Sequence, residues 1–332
     1  MPGLAGTGTV HNDQSNGRIE LRCAAPARAW CRNLLGWYSE TTYNSTVNPI
    51  RGLDDQFQAE LVDILAWAHQ LGITSHTRFH IYKSNIEWLR AHDGVDERPR
   101  VYAQVASEGR LNEMLSTMTE SIELVETIPA LRRLGVVIPK NLLRRAFSGP
   151  ADMSLEDRTS NEARNAMFEL SVAAMAARRG LTPMLSSTNP DVSFEFGGRL
   201  VKIECKRVLS VNRIMERLNE GTKQLKKSVR SATSDIGIVA ISLSKLVNPG
   251  DRFLVSGSPH EDLSKQLHDA LKANEQELGR MHRPWASGFI FYLSTAAYVP
   301  GRGYIPTNSG TIFPLNLAER EFFKRLAGFL LV

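Results

Sequence analysis

Two carboxylates and an ammonium group stand close together in one short stretch, residues 189–208, which reads NPDVSFEFGGRLVKIECKRV. These groups are Asp191, Glu204 and Lys206, of types that bind divalent cations and activate water. A Gly-Gly pair separates two runs rich in β-branched and aromatic residues. That pattern predicts two short strands joined by a tight turn.

Side chains of a strand alternate between its two faces. In the second predicted strand the apolar set is Val201, Ile203 and Cys205, and the charged set is Lys202, Glu204 and Lys206. The apolar face is expected to pack on a helix, with Cys205 as a small buried hydrophobe and not as a nucleophile. The other face then gathers one carboxylate and two ammonium groups.

A turn centred on the glycine pair pairs Glu195 with about Leu200 and brings Asp191 opposite about Glu204. Neighbouring carboxylates repel unless a proton or a cation lies between them. Mg²⁺ accepts one or two carboxylates together with phosphate and water, and Lys206 could then stabilise a phosphate or orient the attacking water. The same spacing also fits cross-strand salt bridges on a solvated sheet face. Alternation alone leaves both interpretations open.

The order of Pro190-Asp191 and then Glu204-Cys205-Lys206 resembles the PD-(D/E)xK nuclease superfamily, which has the restriction-endonuclease-like fold. The resemblance covers about residues 159 to 245. It implies that Asp191, Glu204 and the backbone carbonyl of Cys205 bind Mg²⁺ or Mn²⁺, and that Lys206 positions the water that attacks the phosphodiester.

The helix before the hairpin offers the last acidic group that the resemblance implies. Its segment FELSVAAMAARRG carries Glu169 among apolar neighbours, so this carboxylate is expected to point into the site and complete it. Glu162, nearly two turns earlier, is the competing candidate. The alternative for Glu169 is a partly exposed helix charge.

The helix after the hairpin is expected to contact nucleic acid, because positive charge is concentrated there. Residues 196–233 contain ten Lys or Arg and three Glu, an excess of seven, whereas the whole chain has an excess of five. The family often carries Gln or Lys on this helix. The predicted nucleic-acid-binding residues are Gln224, Lys223, Lys227, Lys202 and Arg207. A basic helix that is merely solvated is the alternative.

The surrounding pattern of helix, hairpin, helix, strand, helix and strand predicts an α/β protein with a mixed sheet flanked by helices. Three regions are predicted: a flexible tail at 1–20, a mostly helical N-terminal domain at 21–150, and a nuclease-like domain at 151–332. The loop-like stretch 147–161 marks the boundary. In the N-terminal domain, residues 56–72 form a helix whose apolar stripe comprises Phe57, Leu61, Ile64, Leu65 and Ala68.

The composition argues against a membrane-spanning or secreted protein. No run approaches the roughly 18 apolar residues of a membrane span, the first residues lack a secretory profile, and three cysteines without Cys-x-x-Cys spacing favour a reducing cytoplasm. The expected function is that of a Mg²⁺-dependent DNA endonuclease in defence or repair. An RNase, a branched-DNA resolving nuclease and a non-catalytic nucleic-acid-binding or interaction protein are the alternatives. The helical domain is expected to supply substrate selection, a partner surface or a homodimer contact.

Overall fold

The computed structural model describes residues 55–73, 77–92, 104–157, 161–229, 235–250, 254–281, 285–299 and 303–331. The predicted tail at 1–20 lies outside these ranges. The first described helices are α1 (Asp55–Gln70), α2 (Arg78–Ala91), α3 (Leu111–Arg133) and α4 (Lys140–Phe147). The buried residues of α1 are those of the predicted apolar stripe. Gly72, with φ +75°, follows this helix in the left-handed region that favours glycine.

A seven-stranded mixed sheet forms the centre of the fold. The strands are β1 (Met184–Leu185), β2 (Val192–Phe196), β3 (Arg199–Arg207), β4 (Ile236–Ser242), β5 (Leu254–Val255), β6 (Gly288–Val299) and β7 (Gly303–Pro314). Their order is β1-β2-β3-β4-β6-β5, and β7 pairs with β6. The β1–β2, β2–β3 and β6–β7 pairs are antiparallel, whereas β3–β4, β4–β6 and β5–β6 are parallel. The predicted α/β class with a mixed sheet is therefore confirmed.

Further α-helices follow along the described part of the chain, and most of them lie against the sheet. They are α5 (Glu162–Arg178), α6 (Ile214–Leu225), α7 (Ser244–Val247), α8 (Pro259–Ala273), α9 (Glu275–Arg280) and α10 (Arg320–Leu330). Apolar residues of α5 share a core with Ile203 and Cys205 of β3. Helix α6 packs on β4 at Gly221, where an added Cβ would lie 2.5 Å from Val239 Cγ1. This close approach explains why a glycine stands inside the helix.

The stretch predicted as the domain boundary is fastened by buried side chains. Its main-chain carbonyls accept hydrogen bonds from α2, α5 and α7. The pairs are Arg78 to Ser148, Arg164 to Pro150 at 3.0 Å, Tyr82 to Ala151 at 2.7 Å and Lys245 to Met153. One hydrophobic core also contains residues from both sides of position 150. The division into two domains stays a prediction, but the stretch between them is tied to both.

A buried chain of charges links the N-terminal helices to the sheet. Glu120 on α3 accepts hydrogen bonds from Arg78 at 2.8 Å and Tyr82 at 2.6 Å, and it also pairs with Arg164 on α5. Burial alone would raise the pKa of Glu120, but the charges of Arg164 and Arg78 lower it to about 2. Glu156 in the boundary stretch continues the chain by pairing with Arg164 at 4.0 Å.

In the described part of the chain, no helix combines the length and apolar character needed to cross a membrane.

Candidate active site

The β2–β3 hairpin brings the predicted acidic residues together. Glu195 pairs with Leu200 and Val192 pairs with Ile203, which confirms the predicted register. Asp191 directly precedes β2, and the register extended by one residue places it opposite Glu204. The Gly197-Gly198 turn adopts positive φ at both residues, +58° and +73°, as a tight hairpin between right-twisted strands requires.

Asp191 is fixed by the main chain of β3. Its Oδ2 accepts a hydrogen bond of 2.8 Å from the Cys205 backbone N–H. Lys206 Nζ donates to the Cys205 carbonyl at 3.0 Å. The Cys205 side chain itself is buried in the core, and burial raises the pKa of its thiol. The prediction of a small buried hydrophobe is confirmed.

Lys206 lies between the two carboxylates. Its Nζ is 3.5 Å from Glu204 Oε2 and 3.9 Å from Asp191 Oδ2. The two oxygens are therefore separated by less than the sum of these distances. One ammonium group faces both acids, and its side chain is 16% exposed, so solvent reaches part of it.

The burial of Glu204 argues against a solvated sheet face at this position. The residue is 0% exposed, so the charged face of β3 is not a solvated sheet face at this point. Both of its carboxylate oxygens are buried without a hydrogen-bond partner among the described residues. Burial first, and then the Asp191 charge, raise the pKa of Glu204 to about 8. A carboxyl in this state accepts either a proton or a cation readily.

Glu169 is the helix carboxylate that belongs to this cluster. Its side chain is 8% exposed, and one of its oxygens is buried without a hydrogen-bond partner among the residues that the structure describes. Burial, and next the charge of Asp191, raise its pKa to about 8, while Arg145 and Lys206 act in the opposite direction. The competing Glu162 has a side chain that is 67% exposed. The geometry therefore favours Glu169 over Glu162.

The donor set suits a hard divalent cation that takes part of its coordination from substrate and water. Within the described ranges, no three His, Cys, Asp or Glu side chains are grouped closely enough to hold an ion by themselves. Asp191, Glu204 and the Cys205 carbonyl are nevertheless oxygen donors of the kind that Mg²⁺ accepts alongside phosphate and water. The unpartnered oxygens of Glu204 and Glu169 fit this interpretation, since buried carboxylate oxygens are normally satisfied.

Two of the predicted nucleic-acid contacts have other roles. Arg207 is 7% exposed and its guanidinium is paired with Glu156, so it belongs to the buried chain of charges. Lys202 donates to Asp235 at 2.7 Å and to the Ser228 carbonyl at 2.6 Å, which ties β3 to the segment before β4. Carboxylates that are distant in sequence already pair with both side chains, and the binding of nucleic acid by Lys202 and Arg207 stays a prediction.

Six of the ten basic side chains at 196–233 are held in ion pairs: Arg199, Lys202, Lys206, Arg207, Arg213 and Arg217. Further pairs join Arg199 to Glu319 at 2.9 Å, Arg213 to Glu216 at 3.0 Å and Arg217 to Glu220 at 2.6 Å. At the C-terminal end of α6, Lys223 and Lys227 are exposed, with no ion pair in the described ranges. Gln224 between them is half-buried, and its Oε1 has no hydrogen-bond partner there either. These three predicted contacts stay predictions.

Arg145 is the site residue that the sequence did not reveal. It lies on α4, in the region predicted as a separate domain, and its Nη2 is 3.6 Å from Glu169 Oε2. The segment KNLLRRAF is basic, but nothing in its sequence points to a carboxylate on α5.

Comparison with known proteins adds no assignment, since no family model, curated protein or solved structure matches the chain.

Proposed function

We propose that the protein is a metal-dependent nuclease of the PD-(D/E)xK type that hydrolyses DNA phosphodiester bonds with Mg²⁺ or Mn²⁺. The observation that carries this proposal is the burial of the Glu204 carboxylate without a hydrogen-bond partner among the described residues. The oxygens of this carboxylate lie beside Asp191 and Lys206 on a hairpin of the expected register. A sheet with an antiparallel hairpin, a parallel β3–β4 pair and helices against it supports the restriction-endonuclease-like fold as part of the proposal.

The residues of the site divide the work of hydrolysis between them. Asp191, Glu204 and the Cys205 carbonyl would hold the cation, and Glu169 would complete the acidic set. A bound Mg²⁺ supplies Lewis-acid polarisation of the phosphate and a lowered pKa for a coordinated water. Lys206 Nζ faces both carboxylates. It would orient the attacking water, or donate a hydrogen bond to the phosphate oxygen on which negative charge develops. The hydrogen bond from the Cys205 N–H keeps Asp191 in place during this step.

Cleavage and binding assays on matched variants test the proposal. The purified protein should nick duplex DNA with Mg²⁺ or Mn²⁺, and EDTA should abolish the nicking. Asp191→Asn and Lys206→Ala should each lower the rate by at least about a hundredfold, as general acid–base and electrostatic contributions of this kind do. Both variants should retain DNA binding measured with Ca²⁺ in place of Mg²⁺.

The matched control is Glu195→Gln, which removes an exposed carboxylate from the same hairpin and should cleave like wild type. A panel of duplex DNA, single-stranded DNA, branched DNA and RNA identifies the substrate. Cleavage of RNA or of branched DNA alone would move the proposal to the corresponding alternative nuclease. Salt-dependent DNA binding without cleavage of any substrate, in any metal, would contradict the catalytic proposal and favour a binding protein with this fold.

A further inference from the structure

The guanidinium of Arg145 reaches the candidate site from outside the hairpin and its flanking helices. Its Nη2 lies 3.6 Å from Glu169 Oε2 and its Nη1 lies 3.5 Å from Glu162 Oε1. Both separations exceed the roughly 2.7–3.2 Å of an N–H···O hydrogen bond. Its Nε is buried and has no hydrogen-bond partner in the described part of the chain. The guanidinium is thus held near the two carboxylates by charge, without the fork of hydrogen bonds that it can form.

The arginines that hold the fold together have a different geometry. Arg78, Arg164 and Arg207 are at most 7% exposed, and each makes hydrogen bonds to a buried carboxylate. The Arg145 side chain is 34% exposed and makes no such bond to any carboxylate in the described ranges. An arginine that only holds two helices together would be expected to be buried and to donate hydrogen bonds to a carboxylate, as these three do. Arg145 instead presents a solvent-accessible guanidinium beside the acidic cluster.

The helix that carries Arg145 is basic on its exposed side. Helix α4 has the sequence KNLLRRAF, which contains no acidic residue, and Lys140 and Arg144 are exposed. An arginine fork matches the oxygens of a phosphate group in a bidentate way, which a compact ammonium cannot do. A surface of this charge next to the residues proposed to cut a phosphodiester is suited to the DNA backbone.

We propose that Arg145 donates hydrogen bonds to a backbone phosphate of duplex DNA bound at the site, and that the exposed side of α4 forms part of the DNA-binding surface. This inference rests on the proposed nuclease function. It assigns to the N-terminal helical region a direct part in holding the substrate. Arg145 would exchange its two long ion pairs for a bidentate contact when the phosphate arrives.

Binding of duplex DNA, measured with Ca²⁺ between about 50 and 200 mM salt, tests the contact. Arg145→Ala should weaken binding about tenfold, as loss of a charge-assisted hydrogen bond does. It should also reduce the slope of log affinity against log salt by about 0.9, which corresponds to one phosphate contact. Arg145→Lys should restore the slope but not the full affinity. Arg325→Ala, which removes an exposed arginine of α10 near the hairpin turn, is the control and should leave both quantities unchanged.

The outcomes separate this inference from the proposed function. Unchanged DNA affinity and salt slope in Arg145→Ala, or a lowered melting temperature alone, would mean that Arg145 only bridges α4 and α5, even in an enzyme that cleaves. Loss of RNA binding with intact DNA binding would overturn the assignment to a DNA phosphate. A wild-type protein that cleaves nothing defeats the nuclease proposal whatever the variant binds. A wild-type protein that binds no DNA defeats both.

Discussion

Replacement of Glu204 by glutamine should stabilise the metal-free protein at alkaline pH while abolishing cleavage. The carboxyl is buried without a hydrogen-bond partner among the described residues, and burial with the Asp191 charge raises its pKa to about 8. In the unfolded chain a glutamate ionises near pH 4.5. The folded state therefore holds this proton more tightly than the unfolded state, and unfolding releases it between these two pH values.

The sign and size of the effect follow from this difference. The contribution of Glu204 to stability is fully present below pH 4.5, falls as pH rises, and is lost above about pH 8. At about 1.4 kcal/mol per pKa unit, the upper limit of the loss is roughly 5 kcal/mol. Because Glu204 titrates together with its acidic neighbours, we expect about 1–3 kcal/mol. Glutamine has nearly the same shape and carries no ionisable group, so it avoids the loss.

Thermal or urea unfolding in EDTA from pH 5 to pH 9 measures the difference. Glu204→Gln should match wild type near pH 5 and melt several degrees higher near pH 9, at about 2–4 °C per kcal/mol for a chain of this size class. Added Mg²⁺ should raise the melting temperature of wild type but not that of the variant. The exposed Glu195→Gln should show neither effect. A variant that is less stable than wild type at every pH, or equally responsive to Mg²⁺, would refute the interpretation of Glu204 as an unsatisfied ligand.

Three further predictions concern the fold and the basic helix. Glu120→Gln should lower stability at pH 7 by about 3–5 kcal/mol, because it leaves buried arginines uncompensated. Wild type should lose stability as pH falls from 4.5 towards 2, since the pKa of Glu120 is lowered to about 2, and acid titration should show a smaller loss in the variant. Gly221→Ala, which normally favours a helix, should here destabilise by about 1–3 kcal/mol in urea unfolding, because its Cβ would meet Val239; Val239→Ala in the same chain should recover most of the loss. Lys223→Ala with Lys227→Ala should reduce the salt slope of DNA binding by about 0.9 per lysine, and an unchanged slope would exclude α6 from the interface.

The hairpin could be predicted in detail because its determinants are local. Alternating side chains and a Gly-Gly turn fix which residues lie opposite each other, so the pairing of Glu195 with Leu200 follows from the sequence. The stripe on α1 is equally local.

The roles of individual charges could not be predicted, because they depend on partners that are distant in sequence. Arg207 and Glu156 are 51 positions apart, and Lys202 and Asp235 are 33 apart. A local count of Lys and Arg treats these side chains as free surface charges, whereas in the folded protein they form ion pairs with distant carboxylates. The same limitation hid Arg145, whose carboxylate partner Glu169 lies on the next helix of the chain.

Glu120 and Glu204 are both buried, but their pKa values are shifted in opposite directions. Both carboxylates are nearly inaccessible to water, yet Glu120 receives hydrogen bonds from two arginines and a tyrosine, and its pKa falls. Glu204 receives none from the described residues, and its pKa rises. A buried carboxylate without a donor costs stability that an apolar side chain of similar volume would avoid. Four of the unpartnered buried atoms belong to Glu204, Glu169 and Arg145. Arg145 pairs with Glu169, and the Lys206 charge acts on both Glu169 and Glu204. This concentration is what we expect where a cation and a phosphate supply the missing partners.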